Sequence, residues 1–193
     1  MRIMKSQSQI KIEDLTKWLD DRYFFCKEKK VSVLMNDHIS GLIASKIAVD
    51  TYGEENVVNV VIPCYSSEDY ILNSAKFSND LGVKYKNIGI KHLYDSLMEK
   101  DIEDGESIDV VDFLRSQIMD ALSIKNKSMV FEFVKKGVTS EKWWLGEGTR
   151  QGKLGNYVFK MSYYKETGEK VYDIWDVEFT EEELKESANE LGI

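Results

Sequence analysis

Hydrophobic and polar positions alternate between two periods along this chain, and the period changes mark its elements. Over residues 11–29, Leu15, Trp18, Leu19 and Phe25 recur at helical spacing with Asp, Lys and Arg between them, predicting an amphipathic helix. The run Val31-Ser32-Val33-Leu34-Met35 is short and apolar and predicts a buried strand. Residues 39–52 predict a helix, with Gly53 as its C-terminal cap because glycine tolerates positive φ. Residues 57–62 predict a second buried strand closed by Pro63. Ser66 or Ser67 caps a helix running to Leu81, which Gly82 stops. Residues 83–90 predict a third strand.

Farther along, residues 107–124 predict a helix and 129–134 a fourth strand. Segment 137–156 is glycine-rich, carries Trp143 and Trp144, and reads as a structured loop. Strands over 158–164 and 170–175 flank Glu166-Thr167-Gly168-Glu169, the pattern of a hairpin turn. Thr180-Glu181-Glu182-Glu183 is a capping box ahead of Leu184, Ala188 and Leu191, and Gly192 ends that helix. Strands alternating with helices predict an α/β fold: a mostly parallel sheet with helices on both faces. Such a fold binds ligands at the carboxyl ends of its strands, so the first strand-to-helix loop, Asn36-Asp37-His38-Ile39-Ser40-Gly41, is where chemistry is expected.

Composition narrows the classes. The chain has 193 residues, which predicts a single domain over 1–193. With 42% hydrophobic residues it has the material for a core, and one proline and twelve glycines exclude collagen-like and proline-rich classes. The formal charge of −8 disfavours contact with a phosphate backbone, so a nucleic-acid partner is not expected. No apolar run approaches the ~20 residues a membrane-spanning helix needs. The first nine residues lack the apolar stretch of a secretory signal, so a cytoplasmic location is expected. Cys26 and Cys64 make no disulfide framework, and with only His38 and His92 beside them a Cys/His zinc site is not expected.

The order of motifs resembles the ammonia-dependent NAD synthetases of the N-type ATP pyrophosphatase superfamily. The residues that carry the likeness are collinear over nearly the whole chain: Gly53-Glu54-Glu55-Asn56-Val57, Ile62-Pro63, Ser66-Ser67-Glu68-Asp69, Ser74-Ala75-Lys76 and Leu81-Gly82-Val83-Lys84-Tyr85. Further on come Gly137-Val138-Thr139-Ser140-Glu141, Gly146-Glu147-Gly148-Thr149-Arg150-Gln151-Gly152 and Leu191-Gly192-Ile193. The resemblance implies an adenine nucleotide alpha hydrolase-like fold, ATP or another adenine nucleotide with Mg as cofactor, an NAD-related ligand and a homodimer. The helices over 11–29 and 107–124 are its candidate dimer interface. The resemblance also implies that Glu141 binds the metal, and that Ser40, Ser140, Thr149 and Arg150 contact the nucleotide. Arg115 falls near the first arginine of a family helix.

The departures point the other way. The family's S-G-G-x-D-S loop, whose glycines cradle pyrophosphate and whose Asp holds magnesium, aligns with Asn36 to Gly41; both glycines and that Asp are missing. Asp37 falls too early to replace the Asp and would repel phosphate. Val138 stands for a family Asn, and the chain stops at Ile193, without the family's C-terminal segment. Three readings follow. The first is a diverged NAD-synthetase-like pseudoenzyme that makes no NAD and binds an adenine nucleotide. The second is an active ATP-dependent ligase with a remodelled phosphate loop, in which His38 is the candidate catalytic group with Glu141, Thr149 and Arg150. The third is a protein-interaction module using the fold as scaffold.

Overall fold

A computed structural model of the chain describes residues 6–23, 30–36, 38–98, 110–135, 155–175 and 177–193. The elements run α1 (Gln7–Tyr23), β1 (Val31–Met35), α2 (Ile39–Tyr52), β2 (Val57–Val61), α3 (Glu68–Asp80), β3 (Lys84–Asn87), α4 (Lys91–Met98), α5 (Val110–Asn126), β4 (Met129–Lys135), β5 (Tyr157–Tyr164), β6 (Lys170–Ile174) and α6 (Glu181–Leu191). The six strands form one sheet in the order β3-β2-β1-β4-β5-β6. β3, β2, β1 and β4 are parallel, whereas β5 and β6 return antiparallel, Glu132 facing Lys160 and Ser162 facing Tyr172.

The expected α/β architecture is therefore present, with a hairpin completing one edge of a parallel sheet. The chain moves outward from β1 to β3 and then returns to the far side of β1 to lay down β4. Right-handed crossovers put connections made in opposite directions on opposite faces. Accordingly, α2 and α3 pack with α1 and α6 over one face, through Ile12, Leu15, Leu19, Ile43, Ile47, Tyr70 and Leu184. α4 and α5 cover the other, through Ile62, Ile90, Leu114, Met119 and Val130. None of the described helices is long and apolar enough to cross a membrane.

Local chemistry explains the boundaries. Ser67 accepts from the Tyr70 amide and starts α3. Gly82 then turns the chain at φ 71°. Thr180 and Glu183 complete the reciprocal capping box of α6, and Gly192 ends it in the left-handed conformation. The first helix begins at Gln7 rather than at 11, and residues 24–29 lie outside the described residues. Its apolar face, Ile12, Leu15 and Leu19, is buried within its own chain. The third strand is shorter than expected, and α4 was not expected from the sequence. α4 has no buried residue of its own, so its pattern carries only the partial burial of Tyr94 and Leu97.

Aromatic rings fill the core below β4 and β5. Phe159 meets Phe131, Phe133 and Trp18 edge-on, and Phe179 meets Phe133 in the same way. The opposite face of these strands holds a buried ion pair, Lys160 Nζ to Glu132 Oε1 at 2.8 Å. The two residues are direct cross-strand partners, so this pair opposes any register in which β5 slips on β4. Removing one partner leaves an uncompensated buried charge, at a cost of ~3–5 kcal/mol. We therefore expect Glu132→Ala and Lys160→Ala each to lower unfolding stability by about that amount in urea titrations. The double variant Glu132→Leu/Lys160→Met should recover most of the loss. Single losses below ~1 kcal/mol would show the pair to be water-exposed in solution.

Candidate functional site

The sheet changes direction of growth at β1, whose neighbours are β2 and β4. A crevice outside the carboxyl ends of β1 and β4 is thus the expected ligand position. Asn36 and His38 follow β1, Lys135 ends β4, and Tyr157 opens β5 directly opposite Lys135. Tyr157 exchanges two backbone hydrogen bonds with Phe179, its N–H donating at 2.8 Å and its carbonyl accepting at 2.9 Å. That bridge places Thr180 and the start of α6 beside the carboxyl end of β4.

A helix start leaves backbone amides that need acceptors. In α2 the chain supplies them itself. The Ser40 amide donates to His38 Nδ1 at 3.2 Å, and the Gly41 amide donates to Asn36 Oδ1 at 3.2 Å. Asn36 Oδ1 also accepts from the His38 amide at 3.2 Å, and Asn36 Nδ2 donates to Ser40 Oγ at 3.2 Å. Ser40 is fully buried beneath this arrangement. The His38 ring stacks on Tyr157, with centroids 4.8 Å apart and planes 10° from parallel. Its Nε2 lies 3.3 Å from Tyr157 Oη. On α3, Tyr70 donates its hydroxyl to the Met35 carbonyl, fixing the point where β1 enters the loop.

Charge collects around this frame. Lys135 Nζ lies 5.6 Å from the Tyr157 ring centroid, within cation–π range. The Glu181 carboxyl is held below the usual carboxylate range, first by its hydrogen bond to Lys185 and then by the positive charges of Lys185, His38 and Lys135. Burial raises the Glu183 carboxyl, but Lys11 at 2.6 Å and the Thr180 amide at 2.8 Å outweigh that and lower it overall.

The other residues singled out by sequence take varied places. Ser67 is the N-cap of α3. Arg115 donates from Nε to the Ile62 carbonyl at 3.0 Å and pairs with Asp112, tying α5 to the end of β2. Cys64 is half-buried in the apolar layer under α4 and α5. Asp37, Ser140, Glu141, Thr149, Arg150, Trp143 and Trp144 lie outside the described residues, as does Cys26. Sequence reading passed over Asn36, Tyr157 and Lys135. Only the asparagine carried a usable signal, a side-chain acceptor just before a helix start. Among the described residues no group of three or more His, Cys, Asp or Glu could hold a metal ion.

Two outcomes follow from this geometry. A Cβ on Gly41 would lie 2.8 Å from Asn36 Oδ1 and 2.9 Å from the Asn36 nitrogen, so the backbone would have to move. Gly→Ala inside a helix ordinarily gains ~1 kcal/mol. Gly41→Ala should instead lose ~1–3 kcal/mol in denaturant unfolding, the cost of overpacking, and a gain would refute the packing described. For Glu183, the folded carboxyl titrates below its unfolded value. Its contribution is therefore complete above the unfolded value of ~4.3 and is lost as pH falls through the lowered folded value. Stability measured from pH 6 to pH 3 should fall less steeply in Glu183→Gln than in the parent; equal slopes would contradict the lowered carboxyl.

No protein-family profile matches the chain, and no curated protein matches it in sequence. Solved structures do match in fold. One is the glutamine-dependent NAD+ synthetase of Acinetobacter baumannii in complex with ADP, at TM-score 0.58 and 19% identity, covering 67% of this chain and 26% of that one. Another is the NH3-dependent NAD synthetase of Campylobacter jejuni in complex with nitrate, at 0.55 and 17%, covering 75% of this chain and 62% of that one. A third is the NMN synthetase of Francisella tularensis, at 0.60 and 13%, covering 98% of this chain and 72% of that one. The chain thus spans about a quarter of the first of these proteins and under two thirds of the second. At these identities the likeness establishes a shared fold: this chain carries the mostly parallel α/β architecture of the NAD and NMN synthetases.

Proposed function

We propose that this protein is a diverged NAD-synthetase-like domain that binds an adenine nucleotide in the crevice between β1 and β4 and does not synthesise NAD. One observation carries the reading. The amides of Ser40 and Gly41 at the start of α2 are bonded to His38 and Asn36, where a pyrophosphate-binding loop would leave them open to an anion. Adenylating a carboxylate moves negative charge onto pyrophosphate, and donors aimed at that charge usually supply the largest part of the rate enhancement. Each ~1.4 kcal/mol of that stabilisation lost costs a tenfold in rate. The glycine cradle and the Asp of the family loop are both absent here.

The nucleotide is supported by the ADP complex of the Acinetobacter protein. Ser140, Thr149 and Arg150 are its proposed contacts, with Glu141 for Mg; Ser40 lies fully buried, its amide on His38 and its hydroxyl on Asn36, and offers the nucleotide no free group. Arg150 suits the role because a guanidinium bonds two oxygens at once. A homodimer working in the cytoplasm completes the proposal. A second reading, an ATP-dependent ligase with a remodelled phosphate loop, draws on the gathering of His38, Lys135 and Glu181 around the crevice.

The test is thermal unfolding of the purified protein with ATP, AMP, NAD and deamido-NAD, each with and without magnesium. A ligand of the native state stabilises by ~2.7 kcal/mol at roughly a hundredfold excess over Kd. We expect a shift with at least one adenine nucleotide and no ammonia-dependent conversion of deamido-NAD. Release of AMP and pyrophosphate would favour the ligase. Conversion of deamido-NAD that Glu141→Gln abolishes would overturn the proposal, and no shift with any nucleotide would leave the scaffold reading in its place.

A further inference from the structure

The bond that closes the start of α2 uses a titratable acceptor. Ser40 N–H donates to His38 Nδ1, which requires a lone pair there and so places the imidazole proton on Nε2. That Nε2 stands 3.3 Å from Tyr157 Oη within the stacked pair. Asparagine, serine, threonine or aspartate is the common choice at an N-cap, and none of these loses its acceptor between pH 5 and pH 8. His38 does.

We propose that His38 is a pH-sensitive latch on the β1–α2 loop: as neutral imidazole it closes onto the Ser40 amide while stacked on Tyr157, and as imidazolium it releases that amide. The proton comes from solvent and takes the lone pair at Nδ1. The Ser40 N–H···Nδ1 bond is lost, and two N–H donors then face each other. The ring must turn, and its stacking on Tyr157 goes with it.

The charges around the ring act in both directions. The N-terminus of α2 carries a partial positive charge of about half a unit and opposes the imidazolium. Lys135, on β4 beside Tyr157, opposes it as well. Glu181 on α6 favours it, although that carboxylate is shared with Lys185 at 3.2 Å. Tyr157 on β5 faces the ring, and Asp37 precedes His38 in the chain. Release is only partial, because Gly41 N–H is shared between the Asn36 carboxamide at 3.2 Å and the His38 backbone carbonyl at 3.1 Å, and neither acceptor titrates. Neighbouring amides of one helix turn thus respond differently to pH, a signature that general acid unfolding does not produce. This inference rests on the loop geometry alone and stands whether or not a nucleotide binds.

The experiment is amide hydrogen exchange and 1H–15N spectroscopy of the full chain from pH 8 to pH 5. A side-chain N-cap is worth ~1 kcal/mol, about fivefold. We expect the protection factor of Ser40 to fall at least that much through the imidazole titration, with that of Gly41 unchanged. In His38→Ser, whose hydroxyl caps without titrating, both amides should be flat. At pH 8 the imidazole of the parent protein should show protonated Nε2 and bare Nδ1. An Nδ1–H tautomer, a pH-independent Ser40 amide in the parent, or the same fall in His38→Ser would each overturn the latch. The tautomer can be read in the parent alone, so the test survives a variant that fails to fold.

Discussion

A buried or half-buried helix start must bond its first amides to something, and much of this site follows from that constraint. α2 is buried along most of its length, so water serves poorly as acceptor for its first turn. The chain answers with two side chains from the preceding loop. Asn36 reaches forward to Gly41, and His38 bends back to Ser40. The consequence for position 41 is steric: only a residue without Cβ lets Asn36 come so close. The consequence for Ser40 is that its hydroxyl lies under the loop, bonded to Asn36.

The latch could not be assembled without the antiparallel edge of the sheet. A parallel sheet ending at β4 would leave His38 with no aromatic wall. β5 runs back along β4, and the register that pairs Lys160 with Glu132 also sets Tyr157 opposite Lys135. One cross-strand alignment therefore positions a buried ion pair on one face and, at the strand end, the ring on which His38 stacks. The aromatic cluster of Phe131, Phe133, Phe159 and Phe179 supports that alignment from below, its buried rings meeting edge to face. The bridge from Tyr157 to Phe179 then brings α6, with its acidic first turn, beside the carboxyl end of β4.

The mostly parallel α/β fold, a sheet covered by helices, is shared with NAD and NMN synthetases at 13–19% identity. Those features depend on burial and crossover handedness, which many sequences satisfy. The loop after β1 depends on particular atoms. In this chain an asparagine and a histidine close the first turn of α2 with their own side chains.

The sequence by itself determined the elements whose signals are local. Ser67, Thr180 with Glu183, and Gly192 act within one turn of the chain, so capping chemistry could be read from neighbouring residues. The buried strands β1, β2 and β4 were legible because a strand covered on both faces shows as an apolar run. His38 and Ser40 were found through the expectation that the first strand-to-helix loop carries the site. Their roles were not legible, because a cap and an anion contact use the same residue types. α4 escaped notice because its burial is slight. Tyr157 escaped because its partner His38 is 119 residues away along the chain, and Lys135 because only strand pairing sets it beside Tyr157. Tertiary structure alone decided those contacts: the Tyr157 ring of β5 meets His38 of the β1–α2 loop, and Lys135 of β4 meets that ring, through sheet register, a long-range property that no local pattern encodes.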